Sequence, residues 1–253
     1  MNAVSDIRVG VMVPAGNVIH EREFQALRPS GVTFRFTHFV NPDMSSPTVH
    51  ADLTDSLGEP LSFLRDWGAH VVLLGCTAAS MTCAGDDFRR SLEAIALAPV
   101  VTAASAATDA IRALNLQTIA VATPYGEAGN RIVTNFLEGQ GTAVASIKGM
   151  ALDRSPDIWS ATAPFLTSED IMEFSLTADC VEAEAMYMPC TAINSLGALA
   201  PFEQRTGKPA FSSVQAGYWA ALRRVGFDGR RSGYGRLVEQ WDFDLLNPPA
   251  AAP

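Results

Sequence analysis

Val71-Val72-Leu73-Leu74-Gly75-Cys76-Thr77-Ala78-Ala79-Ser80 and Ala185-Met186-Tyr187-Met188-Pro189-Cys190-Thr191-Ala192-Ile193-Asn194-Ser195 are two versions of one passage. Each is an apolar run of strand length that ends in Cys-Thr-Ala and passes into a helix-compatible segment. In an α/β sheet, the carboxyl end of a strand beside the first turn of the next helix is where ligands bind. Backbone N–H groups there lack partners and the helix dipole favours negative charge, so a thiol at that point is expected to lean toward thiolate. Two such thiols in equivalent places predict a facing pair.

The repetition extends outward from the cysteines. Arg8-Val9-Gly10-Val11-Met12-Val13-Pro14 and Thr118-Ile119-Ala120-Val121-Ala122-Thr123-Pro124 both read as a buried strand running into a loop, and Pro14 and Pro124 stand 110 positions apart. Pro99-Val100-Val101-Thr102 and Pro209-Ala210-Phe211-Ser212 are separated by the same 110, and the two cysteines by 114. Three landmarks in one order at nearly one offset read as an internal duplication. Helical stretches lie between them, at Glu21 to Leu27, Leu57 to Trp67, Ala104 to Leu114, Ala128 to Leu137 and Gln215 to Val225. Such alternation predicts βαβ units with right-handed crossovers. The expected fold is therefore α/β, with two similar Rossmann-like domains, mostly parallel sheets, and the site in the cleft between them. The first domain is expected to take residues 1–115 together with the chain's end from about 216 to 253, and the second residues 116–215. Pro248-Pro249-Ala250-Ala251-Ala252-Pro253 reads as a frayed end.

Composition narrows the function. With 253 residues, 48% of them hydrophobic, the chain can bury a substantial core without staples. Its four cysteines, at 76, 83, 180 and 190, match neither a disulfide framework nor a zinc spacing, so reduced thiols, a cytoplasmic setting and no metal are expected. The first residues, Met1-Asn2-Ala3-Val4-Ser5-Asp6, carry no signal-peptide pattern, and no apolar run reaches membrane-spanning length. A net charge of −9 argues against a nucleic-acid groove, yet leaves room for a small anion held by backbone N–H groups. Self-association is left open. Neither a Gly-x-Gly-x-x-Gly nor a P-loop pattern occurs, and His20, His38, His50 and His70 lie beside no cysteine in sequence.

Cys76 and Cys190 are thus the primary candidates for chemistry, while Cys83 and Cys180 lack the strand-end setting and read as structural. Thr77 and Thr191 follow the cysteines, where a hydroxyl can cap the next helix or donate to a bound anion. In Val13-Pro14-Ala15-Gly16-Asn17 the Asn17 amide can donate to a carboxylate, and Gly16 lets the backbone come close. Tyr125, in Thr123-Pro124-Tyr125-Gly126, occupies the matching loop of the second half and offers a phenol to a ligand oxygen.

At these residues the chain resembles the aspartate/glutamate racemase superfamily, in its branch of maleate cis-trans isomerases and arylmalonate decarboxylases. Gly75-Cys76-Thr77 and Pro189-Cys190-Thr191 are similar to that superfamily's paired cysteines. Val13-Pro14-Ala15-Gly16-Asn17, with Glu21 and Glu23 following, resembles the isomerase amino-terminal motif, and Pro124-Tyr125 the loop whose Tyr binds a substrate carboxylate. Ser212-Ser213-Val214-Gln215-Ala216-Gly217-Tyr218-Trp219 and Gly233-Tyr234-Gly235-Arg236-Leu237 look more like the decarboxylases. Those enzymes carry Gly where Cys76 stands here, because one proton donor suffices when carbon dioxide leaves. The isomerase group has a second carboxylate-binding Asn in the later domain. Here Asp153-Arg154-Ser155-Pro156-Asp157-Ile158-Trp159 has none, which leaves the substrate's identity open. The loop Asn41-Pro42-Asp43-Met44-Ser45-Ser46-Pro47 is similar in place to a pocket-covering loop and carries no readable specificity.

The resemblance implies a cofactor-independent isomerase of a small carboxylate or dicarboxylate. Cys76 as thiolate would add to a cis-enedioate, Cys190 would handle any proton, and Pro14, Asn17, Thr77, Tyr125 and Thr191 would line the substrate site. A two-thiol racemase and a decarboxylase using Cys190 alone are the neighbouring readings. A non-catalytic module that binds a small carboxylate, with the cysteines merely buried, is the reading from another class.

Overall fold

The computed structural model describes residues 6–44, 46–154 and 162–241. The first sheet is built from β1 (Ile7–Pro14), β2 (Val32–Phe39), β3 (Val71–Leu74) and β4 (Val100–Thr102) in the order β2-β1-β3-β4, every neighbouring pair parallel. The second repeats it with β5 (Thr118–Thr123), β6 (Ala143–Gly149), β7 (Ala185–Met188) and β8 (Ala210–Ser212) in the order β6-β5-β7-β8, again parallel. The two sheets are therefore wound alike, as the repeated landmarks predict. In each, the chain leaves the central strand in one direction and returns to the other side, which makes a topological switch point at the carboxyl ends of β1 and β3 and of β5 and β7.

Helices connect the strands: α1 (Val18–Leu27), α2 (Val49–Trp67), α3 (Thr77–Thr82), α4 (Asp86–Ala96) and α5 (Ala103–Ala113) in the first half. The second half has α6 (Glu127–Gly139), α7 (Ser168–Ala178), α8 (Leu196–Thr206) and α9 (Ser213–Arg224), followed by the short α10 (Arg236–Gln240). Helix α2 begins eight residues before the expected Leu57 and runs through Gly58 and Pro60. Leu53, Leu57, Leu61 and Leu64 form one fully buried stripe, and that burial outweighs the two helix breakers.

The alternation of strand side chains determines where the core lies. On β1 and β3, Val9, Val11, Val13, Val71 and Leu73 face a cluster continuous with the second sheet. Met12, Val72 and Leu74 face the opposite way, under α2 and α4. The halves are joined chiefly by α5 against α9, the helices that follow the fourth strand of each sheet. Ala103, Ala104, Ala106, Ala107 and Ala110 are all buried, and their small side chains permit the close approach. The chain's end touches both halves, since Arg231 Nε donates to the Leu27 carbonyl at 2.8 Å and Arg236 N donates to the Glu203 carboxylate at 3.1 Å. Residues 1–5 and the proline-rich end, with the leader and fraying readings that rest on them, lie outside the described residues. Among those described, no helix is long and apolar enough to cross a membrane.

Candidate functional site in the interdomain cleft

A cavity of about 470 Å³ opens where the four central strands end, and Pro14, Asn17, Cys76, Thr77, Tyr125, Cys190 and Thr191 all line it. All seven residues singled out in the sequence thus meet in one place. A separate hollow of about 450 Å³ beside α4, α5 and α6 contains none of them. Cys83 is buried in the core beneath the first sheet and Cys180 is half-buried, both away from the cleft lining. Among the described residues, no group of three His, Cys, Asp or Glu is placed to hold a metal ion.

The two cysteine turns are built differently. Cys76 has an extended backbone, with φ −135°, and is the N-cap of α3, which starts at the next residue. Cys190 has φ +101°, in the region that favours glycine, and the chain stays irregular until α8 begins at Leu196. The second Cys-Thr-Ala segment therefore does not open a helix, contrary to the sequence expectation. Before Cys76, the glycine is a steric requirement. A Cβ at Gly75 would lie 2.3 Å from Cε1 of the buried His20 ring, which wedges behind the strand end.

Thr77 and Thr191 also depart from expectation. Their hydroxyls neither cap helices nor stand free for an anion, because each crosses to the other half. Thr191 Oγ1 donates to the Gly75 carbonyl at 2.9 Å and accepts from Asn17 Nδ2 at 3.1 Å. Thr77 Oγ1 accepts from Cys190 N at 3.3 Å and donates to Ser213 Oγ at 2.8 Å, and that oxygen pairs with the Tyr187 hydroxyl at 2.7 Å. The two threonines thus lock the cysteine turns to each other. Asn17 caps α1 by accepting from His20 N at 3.2 Å, and its amide has a second N–H left to aim at the cavity.

The electrostatics run against the expected lean toward thiolate. Burial pushes the Cys76 thiol up, while the N–H groups of Ala79 and Ala78 act against that rise. Burial pushes Cys190 up to about 12, opposed by Ala192 N and the Tyr125 hydroxyl, with negative charge on Cys76 or Glu23 adding to the rise. Tyr125 itself is held well above the usual phenol range by burial and by the two thiols. Burial thus biases both sulfurs toward the protonated thiol, because loss of solvation exceeds what a short helix start returns.

Two contributors were not legible as site residues. Asn41, on the loop after β2, accepts a hydrogen bond from Cys76 Sγ at 3.7 Å and lines the cavity. Glu23 is buried between the halves, where desolvation raises its carboxyl to about 8. Ser45 of that loop, and residues 155–161 of the stretch that lacks an Asn, lie outside the described residues.

Two like-wound parallel sheets that bring one strand-end thiol each into a common cleft define a class of duplicated α/β proteins with a shared pocket between the halves. The arylmalonate decarboxylase family model matches residues 9–238, and the chain belongs to that family. It is 26% identical over 246 residues to the maleate isomerase of Nocardia farcinica, covering 92% of this chain and 96% of that one. Its likeness to the arylmalonate decarboxylase of Bordetella bronchiseptica is 26% over 201 residues, covering 77% and 82%. The solved Nocardia farcinica maleate cis-trans isomerase bound to TRIS is similar in fold, with a TM-score of 0.80 at 25% identity over 92% of this chain and 98% of that one.

Proposed function

We propose that this protein is a cofactor-independent cis-trans isomerase of a small dicarboxylate, of the maleate type, working in the cytoplasm. The observation that carries the reading is the pair of buried thiols in one cavity, Cys76 as well as Cys190. A decarboxylase needs one proton donor, and Cys190 alone would supply it. The chain's similarity over nearly its whole length to maleate isomerases agrees with two-thiol chemistry.

In this mechanism Cys76, once ionised, adds to one alkene carbon of the cis-enedioate, and the π electrons move to the neighbouring carbon and its carboxylate as an enediolate. The remaining Asn17 N–H, the Tyr125 hydroxyl and the backbone N–H groups at the cysteine turns would hold that charge, an oxyanion-hole role worth about 3 kcal/mol per donor. The former double bond is now single and turns. Return of the electron pair expels Cys76 as thiolate and leaves the trans product. Cys190, whose thiol burial holds protonated, would briefly protonate the carbanion and take the same proton back.

The test is direct. Maleate incubated with the protein and followed by proton NMR should give fumarate, and Cys76→Ala should stop it; no fumarate at high protein concentration overturns the reading. The family model also favours a decarboxylase reading. It predicts carbon dioxide release from an arylmalonate that survives Cys76→Ala and fails in Cys190→Ala.

A further inference from the structure

One buried carboxyl that the proposed reaction does not use is placed to control the second thiol. Glu23 lies on α1 of the first half and is 6% exposed. Its Oε1 accepts a hydrogen bond from Leu196 N at 2.7 Å and its Oε2 from Ser195 Oγ at 3.4 Å, both groups of the second half. Leu196 is the first residue of α8, whose own N-cap, Ser195, makes no side-chain capping bond among the described residues. Glu23 performs that capping from across the interface.

Its neighbours on α1 hold the same segment. Arg22 donates to Asn194 Oδ1, whose amide Nδ2 in turn donates to the Leu166 carbonyl at 2.6 Å. Asn17, at the start of α1, donates to Thr191 Oγ1 at 3.1 Å. Helix α1 therefore grips residues 191–196 at both ends. That segment emerges from Cys190, whose backbone sits at φ +101° and must be held against relaxation by its surroundings.

We propose that Glu23 is a positioning residue for Cys190: by capping α8 from the opposite half, it holds the irregular 191–196 segment so that the second thiol stays buried against the cavity. The action runs through hydrogen bonds accepted by the carboxyl group. A neutral isostere should therefore replace it, and a truncation should not.

The experiment measures iodoacetamide labelling of Cys190 relative to Cys76, by peptide mass spectrometry at neutral pH, in wild type, Glu23→Ala, Glu23→Gln and Glu23→Asp. Glu23→Ala should raise the Cys190 to Cys76 ratio about tenfold, the equivalent of one lost buried hydrogen bond. Glu23→Gln should stay within about twofold of wild type, since its amide oxygen still accepts from Leu196 N. Glu23→Asp, one methylene short, should move the ratio the same way as Ala and keeps the test open if Glu23→Ala does not fold. In the isomerase assay, Glu23→Ala should lower kcat about tenfold with KM little changed, and Gln should restore it. The activity arm rests on the isomerase reading and the labelling arm does not. An unchanged labelling ratio in both Ala and Asp, or a Gln variant that behaves like Ala, overturns the proposal. Fumarate formed despite that result leaves the isomerase reading standing.

Discussion

The cysteine turn of the first half and that of the second start from the same strand position and end in different physics. Cys76 follows a glycine, keeps an extended backbone and opens a helix at once, whereas Cys190 follows a proline, takes a positive φ and begins a loose segment held by the other half. Besides burial, the N–H groups of Ala79 and Ala78 act on Cys76 and favour its ionisation. At Cys190, Ala192 N and the Tyr125 hydroxyl favour ionisation, and charge on Cys76 or Glu23, whenever either ionises, opposes it. A duplicated scaffold has thus diverged in the backbone and in the neighbours that surround two buried thiols. Ionising the first strengthens the second's hold on its proton, because each charge raises the other's cost.

The largest expected effect breaks the pair outright. Cys76→Ala should lower isomerisation at least about a thousandfold, as removal of a nucleophile does elsewhere. Cys190→Ser should instead slow a later step and accumulate an adduct on Cys76, visible by mass spectrometry as the gain of one maleic acid. Adduct on Cys190 in a Cys76→Ser protein, with none in Cys190→Ser, would reverse the assignment. The pH profile follows from the raised thiol. Only thiolate adds, and burial lifts Cys76 above its ordinary 9, so kcat/KM for the free enzyme should rise about tenfold per pH unit from neutrality to beyond pH 9. A plateau reached by pH 8 would mean that Cys76 is ionised earlier than its surroundings allow.

What could be read from the chain alone follows the same contrast between local and distant causes. β1, β3, β5 and β7 are legible because a parallel strand covered on both faces must be an apolar run, and a ligand site at their carboxyl ends follows from topology. β2 and β6 are edge strands whose Arg35, His38 and Lys148 dilute the pattern. The depth at which the thiols are buried is a property of both halves together, so the helix-start argument erred toward thiolate. Glu23 is visible in the sequence only as part of a motif, and its role could not be read because its partner is a backbone N–H 173 residues away. Gly75 is a mixed case: the strand end is legible, but its need for glycine depends on the His20 ring delivered by α1. Gly75→Ala should accordingly cost about 1–3 kcal/mol by overpacking. The larger partner should be the cause. His20→Ala, which removes the ring, should make the added methyl nearly neutral in a double-mutant cycle of thermal or urea unfolding, and strict additivity would show that the glycine serves something else.

The smallest effect tests the backbone contrast itself. Replacing either cysteine by glycine deletes a buried thiol and adds flexibility to the unfolded chain, so both variants should be destabilised on those counts by similar amounts. Only at Cys190 does glycine also remove a steric penalty, because φ +101° brings Cβ against the backbone while φ −135° at Cys76 is open to any residue. Cys190→Gly should therefore be less destabilised than Cys76→Gly by about 1 kcal/mol, read as the difference between their urea midpoints multiplied by a common slope. If the two midpoints coincide, the strain at Cys190 is absorbed elsewhere and the divergence of the thiols is electrostatic alone. If Cys190→Gly is the more stable by the expected margin, the second turn keeps a cysteine at a position where its backbone prefers glycine, which is the cost expected of a residue retained for chemistry rather than for packing.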